Sequence, residues 1–329
     1  MPPTSRLSNI FLLGMAAMVS AVTYAQQESG YPVRAVRMVV PFPAGGGADF
    51  TARVFGQKMG ESLRQTFVVD NRAGANGLLG TDLVAKSAPD GYTLLLVDRG
   101  ALGINPSLYS KLPYDPLIDF EHLGIMADAP YVLVVNPSLP VQSVKDLIAL
   151  AKAKPRSIDY GSFGIGSMAQ LNFEALNQRH GIGLQHVAYK GASAAVSAVV
   201  AGEVGVAIAS APSLLGFIRS ARLRALAVGA DKRLGLLPNV PTMTEAGGGK
   251  DTLIPTFFAL AAPARTPRAI STRLHAELKR AAASADIVDK LAANGLIASG
   301  SSPEAMQGIV AQDIAQFRVL AKSIGIKPE

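Results

Sequence analysis

Val36-Arg37-Met38-Val39-Val40-Pro41-Phe42-Pro43-Ala44-Gly45-Gly46-Gly47-Ala48-Asp49 runs from a short β-branched stretch, through a proline- and glycine-rich turn, to an acidic residue. Pro41 stops the strand because its ring removes a backbone donor. From Asp49 to Leu63, residues Ala52, Phe55, Met59 and Leu63 recur at spacings of three and four, the signature of one apolar helical face. Strand, glycine loop and helix in succession form the repeating unit of an α/β fold. Glycines let a backbone approach a ligand closely, and amides at the start of a helix attract anions. Two readings stand for this loop. Phe42, Ala44, Gly45, Gly46, Gly47, Ala48 and Asp49 form an anion or carboxylate site, or they form a structural turn whose helix Asp49 caps. Neither Gly-Lys-Ser nor Gly-Lys-Thr follows, so the loop is not of the Walker type and implies no nucleotide phosphate.

The alternation continues on both sides of this unit, which predicts a parallel sheet with helical crossovers. Phe67-Val68-Val69 reads as a strand ended by Asp70-Asn71-Arg72, residues 77–88 as a helix and residues 93–97 as a strand. A second lobe opens near residue 130 with Tyr131-Val132-Leu133-Val134-Val135, and Ser143-Val144-Lys145-Asp146 caps a helix. Further strands are expected at 158–161, 185–189, 204–209 and 224–228. Helices are expected from Ser167 to Asn177, over 192–201 and over 213–221. Past Gly229 the pattern resembles the first lobe again, with a strand at 256–260. A last helix follows Pro303 and turns Met306, Val310, Ile314 and Phe317 inward. The expected layout is a first lobe of residues 30–127 and 229–329 and a second lobe of 128–228, joined by two crossings that act as a hinge around a ligand cleft.

The second lobe carries its own glycine loop, Tyr160-Gly161-Ser162-Phe163-Gly164-Ile165-Gly166-Ser167, again between strand and helix. Gly164, Gly166 and Ala169 match the dinucleotide pattern. However, the next strand ends in Tyr189-Lys190, with no acid for a ribose hydroxyl, which counts against NAD. Ser162, Gly164, Gly166 and Ser167 instead suit a carboxylate gripped from the opposite side to the first loop.

Composition narrows the function classes. The chain has 329 residues, 49% of them hydrophobic and 17% charged, enough for a large core. It has no cysteine, which removes disulfides, thiolate nucleophiles and cysteine metal sites. The net charge of +7 is scattered without a basic run, so nucleic acid is not an expected partner. His122, His180, His186 and His275 lack metal-ligand spacing and read as surface or packing residues, and no serine sits in a G-x-S-x-G elbow. Asp119 and Glu121 read as loop solvation. At the N-terminus, Arg6, the apolar run 10–19 and Thr23-Tyr24-Ala25 make a secretory signal peptide over residues 1–25, which directs the chain to the periplasm.

Several blocks in order resemble the tripartite tricarboxylate transporter receptors, the Bug family of periplasmic binding proteins. They are Tyr31-Pro32-Val33-Arg34-Ala35-Val36-Arg37 leading into Val40–Gly46, then Asp49–Arg53, Asn71–Gly77 and Pro89–Leu94. Ile104–Tyr109, Leu112–Pro116, His186–Gly191 and Leu237–Thr242 follow. The resemblance implies a type II periplasmic-binding fold of two α/β lobes, and a ligand carboxylate held by backbone amides and waters from Phe42–Asp49 and Ser162–Ser167. Arg99 stands where relatives carry small polar residues, and either pairs with a second carboxylate in the cleft or sits in solvent. Gln170 stands near the place of a family histidine. Ile208-Ala209 replaces a Phe-Asp pair, which makes the cleft less negative.

The expected function is therefore a binding protein without chemistry or cofactor of its own. It would capture a small carboxylate and deliver it to the membrane permease of a tripartite transporter. A monomer is expected, because such a protein must open, close and dock one face. The alternatives are a periplasmic sensor partner of the same fold and a Rossmann-type enzyme built on the Gly164–Gly166 loop.

Overall fold

The computed structural model describes residues 30–323 and 325, so the expected signal segment lies outside the described residues. The chain begins with β1 (Val36–Val40), α1 (Gly47–Leu63), β2 (Phe67–Asn71), α2 (Leu78–Ala85), β3 (Thr93–Asp98), the short α3 (Asn105–Leu108) and β4 (Phe120–Ala129). It crosses at Pro130 into β5 (Tyr131–Val135), α4 (Val144–Ala153), β6 (Asp159–Ser162) and α5 (Met168–His180). Then come β7 (Gln185–Ala188), α6 (Ala192–Ala201), β8 (Val206–Ser210), α7 (Ala211–Arg219) and β9 (Arg224–Val228). The chain ends with β10 (Thr256–Pro263), α8 (Arg268–Ala282), α9 (Ala285–Ala292), β11 (Ile297–Ala298) and α10 (Pro303–Ser323).

Two sheets result, a six-stranded one in the order β11-β4-β10-β3-β1-β2 and a five-stranded one in the order β7-β6-β8-β5-β9. The α/β, two-lobed expectation agrees with this architecture. The expectation of parallel sheets holds for β1 with β2 and β3, and for β6 with β7 and β8. It fails at the crossing strands. β10 runs antiparallel to β3 and β4, and β5 runs antiparallel to β8 and β9. A strand arriving from the other lobe enters its sheet from the opposite end, which reverses its direction.

Both faces of each sheet are covered, so strands read as nearly continuous apolar runs. Side chains alternate between faces. Val36, Met38 and Val40 meet Phe55 and Met59 of α1 and Leu274 and Leu278 of α8, whereas Val39 meets Val84 of α2 and Met306 and Val310 of α10. In the second sheet, Leu133 and Val135 face Leu147 of α4 and Leu171 of α5, while Val132 and Val134 face Val199 of α6 and Leu214 of α7. Ser143 caps α4 by accepting the Asp146 amide at 3.1 Å, as expected. Among the described residues no helix is long and apolar enough to cross a membrane.

Three sequence expectations change. The second strand extends to Asn71, because Asp70 pairs with Val39 in the ladder and its carboxylate is held by Arg37 and Arg72. Glu121 belongs to β4, a ten-residue strand whose mixed polar composition concealed it, and not to a solvated loop. Residues 230–254, assigned to the first lobe from the sequence, pack on the five-stranded sheet. Leu234 and Leu237 join the core of Val132 and Leu214, Met243 and Leu253 join that of Leu133 and Ile208, and Asn172 exchanges two hydrogen bonds with Ile254. We therefore place the return crossing at Ile254–Thr256, not at residue 229.

That crossing is clamped by one guanidinium. Arg99 Nε donates to Asp313 of α10 at 2.8 Å, and Arg99 Nη1 donates to the carbonyl of Pro255 at 2.5 Å. Their side chains are only 15% and 8% exposed, so each charge depends on the other. Arg99→Met is expected to lower stability in urea by about 3–5 kcal/mol, by stranding Asp313. The double variant Arg99→Met/Asp313→Leu is expected to recover more than half of that loss. A double variant as unstable as the single one would show that the ion pair is not the source of the effect.

Candidate functional site

Both glycine loops leave the C-terminal ends of parallel strands, β1 and β6, and each leads into a helix. This is the end of an α/β sheet where ligands bind. In the first loop, Phe42 is half-buried, residues 43–46 are exposed, and Gly47, Ala48 and Asp49 are buried. Gly45 adopts a φ of 83°, a left-handed conformation that favours glycine. The helix N-cap is Gly46, and Asp49 lies three residues inside. Its carboxylate accepts the Gly45 amide at 3.0 Å and pairs with Arg53 at 2.9 Å. Burial alone would raise the Asp49 pKa, but donors from Arg53, Gly45 and Asn71 outweigh it and hold the group below the usual carboxylate range. Asp49 therefore braces the loop from within. The donors left for an anion are the amides of Gly46, Gly47 and Ala48, which open the helix and have no partner along it.

The second loop is more self-satisfied. Ser167 is the N-cap of α5, as expected, and its hydroxyl also reaches the Gly164 carbonyl at 2.7 Å. Gln170 Oε1 takes the Gly166 amide at 2.7 Å, and Ser162 Oγ takes the Gly164 amide at 3.2 Å. Gly166 has a φ of 73°, and a Cβ there would lie 2.4 Å from Leu108 of the first lobe, so only glycine fits. His186, read from the sequence as a packing or surface residue, lies 2.6 Å from Ser162 Oγ through Nε2. A serine hydroxyl donates once and accepts twice. The network is complete when His186 donates to Ser162, Ser162 donates to the Gly164 carbonyl at 3.0 Å, and the Gly164 amide donates back. Burial pushes the His186 pKa down, which favours the neutral ring. The other histidines pack against carbonyls: His122 on Pro116, His180 on Gly248 and His275 on Leu123.

Tertiary folding brings the two loops to one interlobe region. A Cβ on Gly47 would meet the Phe258 ring at 3.2 Å and Ser210 Oγ, at the tip of β8, at 3.8 Å. Tyr131 of the first crossing lies 6.0 Å from Phe163, ring centre to ring centre. Phe42 approaches Gly77, whose neighbour Asn76 accepts a hydrogen bond from Asn105 through its carbonyl. Two buried acceptors on α3, Asn105 Oδ1 and Ser107 Oγ, lack a hydrogen-bond partner. A buried polar atom without a partner in a folded protein marks a place for water or ligand. Ser107 and Ser210 were not singled out from the sequence. The signal for Ser107 was only its place in the Ile104–Tyr109 block, and Ser210 carried none.

Arg99 does not sit in solvent: its guanidinium is bonded to Asp313 and to the Pro255 carbonyl. Its neighbour Asp98 ends β3, and Asp98 Oδ1 accepts the Ala101 amide at 2.9 Å. Burial pushes the Asp98 carboxyl up to about 6 against the opposing pull of the Ala101 and Gly100 amides. Among the described residues no group of three His, Asp or Glu side chains is gathered as metal ligands.

A carboxyl with a raised folded-state pKa contributes its stability below the unfolded value and loses it as pH rises through the folded one. Asp98→Asn keeps the acceptor for Ala101. It is expected to raise stability at about pH 8 by about 1–3 kcal/mol and to change it little at about pH 4. Chemical denaturation at both pH values checks the sign, and equal effects at the two would exclude the ionised carboxyl as the cause.

The geometry has counterparts among known proteins. The profile of the tripartite tricarboxylate transporter family receptor matches residues 51–326. The chain is 39% identical to protein BugT of Bordetella pertussis over 315 residues, which is 95% of this chain and 94% of that one. A Rhodopseudomonas palustris protein solved with adipate superposes with a TM-score of 0.84 at 35% identity, covering 91% of this chain and all of the other. MatC from Rhodopseudomonas palustris, solved with bound malate, superposes with a TM-score of 0.79 at 27% identity, over 88% of this chain and 99% of that one. With the family profile matching residues 51–326 and most of its length shared with these proteins, the chain belongs to the tripartite tricarboxylate transporter receptor family, the Bug family of periplasmic solute-binding proteins.

Proposed function

We propose that this chain is a periplasmic receptor that closes its two lobes on a small carboxylate and delivers it to the membrane permease of a tripartite tricarboxylate transporter. The observation that carries this reading is the open row of amides at Gly46, Gly47 and Ala48, at the start of a 17-residue helix and opposite Ser210 of the other lobe. Aligned peptide dipoles give a helix start partial positive charge, and amides there bind an anion without burying a compensating cation. Lobe closure removes water from the cleft, which strengthens each of those bonds.

The cleft side of the first loop offers neutral donors only. Arg53 is taken by Asp49, and Arg99 by Asp313 and Pro255. In this reading a second carboxylate on the ligand meets hydroxyls and amides, those of Ser107 and Ser210 among them. The adipate and malate bound by related proteins are dicarboxylates, which supports this class for the cargo. Ser162, Gly164, Gly166 and Ser167 act in this reading as the facing wall, whose shape is held by His186 and Gln170.

Thermal-shift measurements against a panel of dicarboxylates and their diamides test the proposal. A true ligand raises the melting temperature by mass action, and its diamide is expected to give no shift. Ser107→Ala is expected to leave the unliganded protein as stable or slightly more stable, because it removes an unpartnered buried hydroxyl. The same change is expected to weaken carboxylate binding by about fivefold, equivalent to about 1 kcal/mol. If no acid produced a shift, and mass spectrometry of the denatured protein released no trapped small molecule, the receptor reading would fail.

A further inference from the structure

A cavity of about 550 Å³ opens beside the hinge, and none of its lining residues belongs to Phe42–Asp49 or Ser162–Ser167. Its walls come from both sheets' packing units. Pro130 and Pro255 line it from the two crossings, Leu234 and Leu236 from the segment after β9, and Leu296 and Ile297 from the edge formed by β11. These walls are apolar, and the volume is that of a small-molecule pocket. Two carboxylates stand in the lining: Asp231, which is exposed and paired with Lys250 at 2.9 Å, and Asp128, next to last in β4 and opposite Ile297 in the ladder.

The charge around Asp128 is unbalanced. Arg99 is the cation that acts on it, yet the guanidinium is bonded through Nε to Asp313 and through Nη1 to the Pro255 carbonyl. Among the described residues Asp128 forms no salt bridge, so two carboxylates share one guanidinium. Burial raises the pKa of Asp128, as it does for any carboxyl lacking a close counter-charge. The cations at the rim do not fill the gap. Arg233 is committed to Glu245 at 2.9 Å and to the Pro238 carbonyl at 3.2 Å, and Lys232 is exposed. With Asp231 taken by Lys250, Asp128 is the one carboxylate among the cavity's lining residues that forms no salt bridge, a poor match for a divalent metal ion, which demands several oxygens. It suits a cation that brings its own apolar body.

We propose that the hinge cavity is a second binding site, for a small aliphatic ammonium ion whose charged head lies on Asp128 and whose chain lies along the leucine and proline walls. The site is independent of the carboxylate cleft in its residues and in the sign of charge it selects. Isothermal titration of the purified protein with n-hexylammonium chloride tests it, with 1-hexanol and sodium hexanoate as probes of equal chain length. Hexylammonium is expected to bind at least tenfold more tightly than either. Asp128→Asn is expected to erase that preference while leaving the melting temperature within a few degrees, since the swap removes a desolvated charge and keeps the shape. Leu236→Trp, which fills the cavity from a partly exposed position, is expected to abolish binding of all three. Equal affinity for hexylammonium and hexanol, or undiminished ammonium binding in either variant, would overturn the proposal. The readout is ammonium binding alone, so failure of the carboxylate-receptor reading would leave this result standing, and the reverse.

Discussion

One guanidinium ties together three distant parts of the chain. Arg99 follows the third strand, Asp313 sits in the last helix and Pro255 lies on the second crossing between the sheets. The pair is shielded from solvent, so neither charge is tolerable without the other. The clamp holds the final helix against the first sheet and anchors the crossing strand at the point where the chain re-enters that sheet. Farther along the same helix, Phe317 packs with Ile104, Leu108 and residues of the second lobe's core, and Gln178 of that lobe bonds Ser323. The last helix therefore touches both lobes, while the chain itself passes between them at Pro130 and Pro255.

The proposed cleft relies on neutral donors. Charge is used to shape the loops from behind: Asp49 with Arg53 and the Gly45 amide on one side, and Glu174 with Tyr160, next to the His186 ring, on the other. This arrangement makes physical sense for a receptor that must release its cargo. A buried ligand–arginine pair would need a large desolvation cost returned at each opening, whereas amides and hydroxyls exchange ligand for water with little net change. Residues 43–46 are exposed and braced by Asp49, whereas the Gly164–Ser167 turn is bonded to itself through Gln170 and Ser167.

Local pattern made much of the architecture legible. Val36–Val40, Tyr131–Val135, Ala192–Ala201 and Arg224–Val228 were located from β-branched or alanine-rich runs between glycine and proline stops, and Ser143 and Ser167 announced their helices as caps. The glycine loops were legible because their composition has few other uses between a strand and a helix. β4 was not, because Glu121, His122, Gly124 and Asp128 interrupt its apolar alternation, and pairing with β10 stabilises it in spite of them. Residues 230–254 have little regular structure, so the sequence carries no periodic signal of the sheet they cover.

The sequence by itself determined the α/β class, the strand–loop–helix units and the two loops at their tips, since each of these depends on residues within a few positions of one another. Only the tertiary structure decided what those loops face. Arg99 went to Asp313, 214 residues away, and His186 came under Ser162. Ser107 was left buried without a partner, and Asp128 was placed in the wall of a hinge cavity. Partner choice among buried polar groups is settled by which groups the packing brings within hydrogen-bond range, and that depends on the whole fold and not on any local pattern.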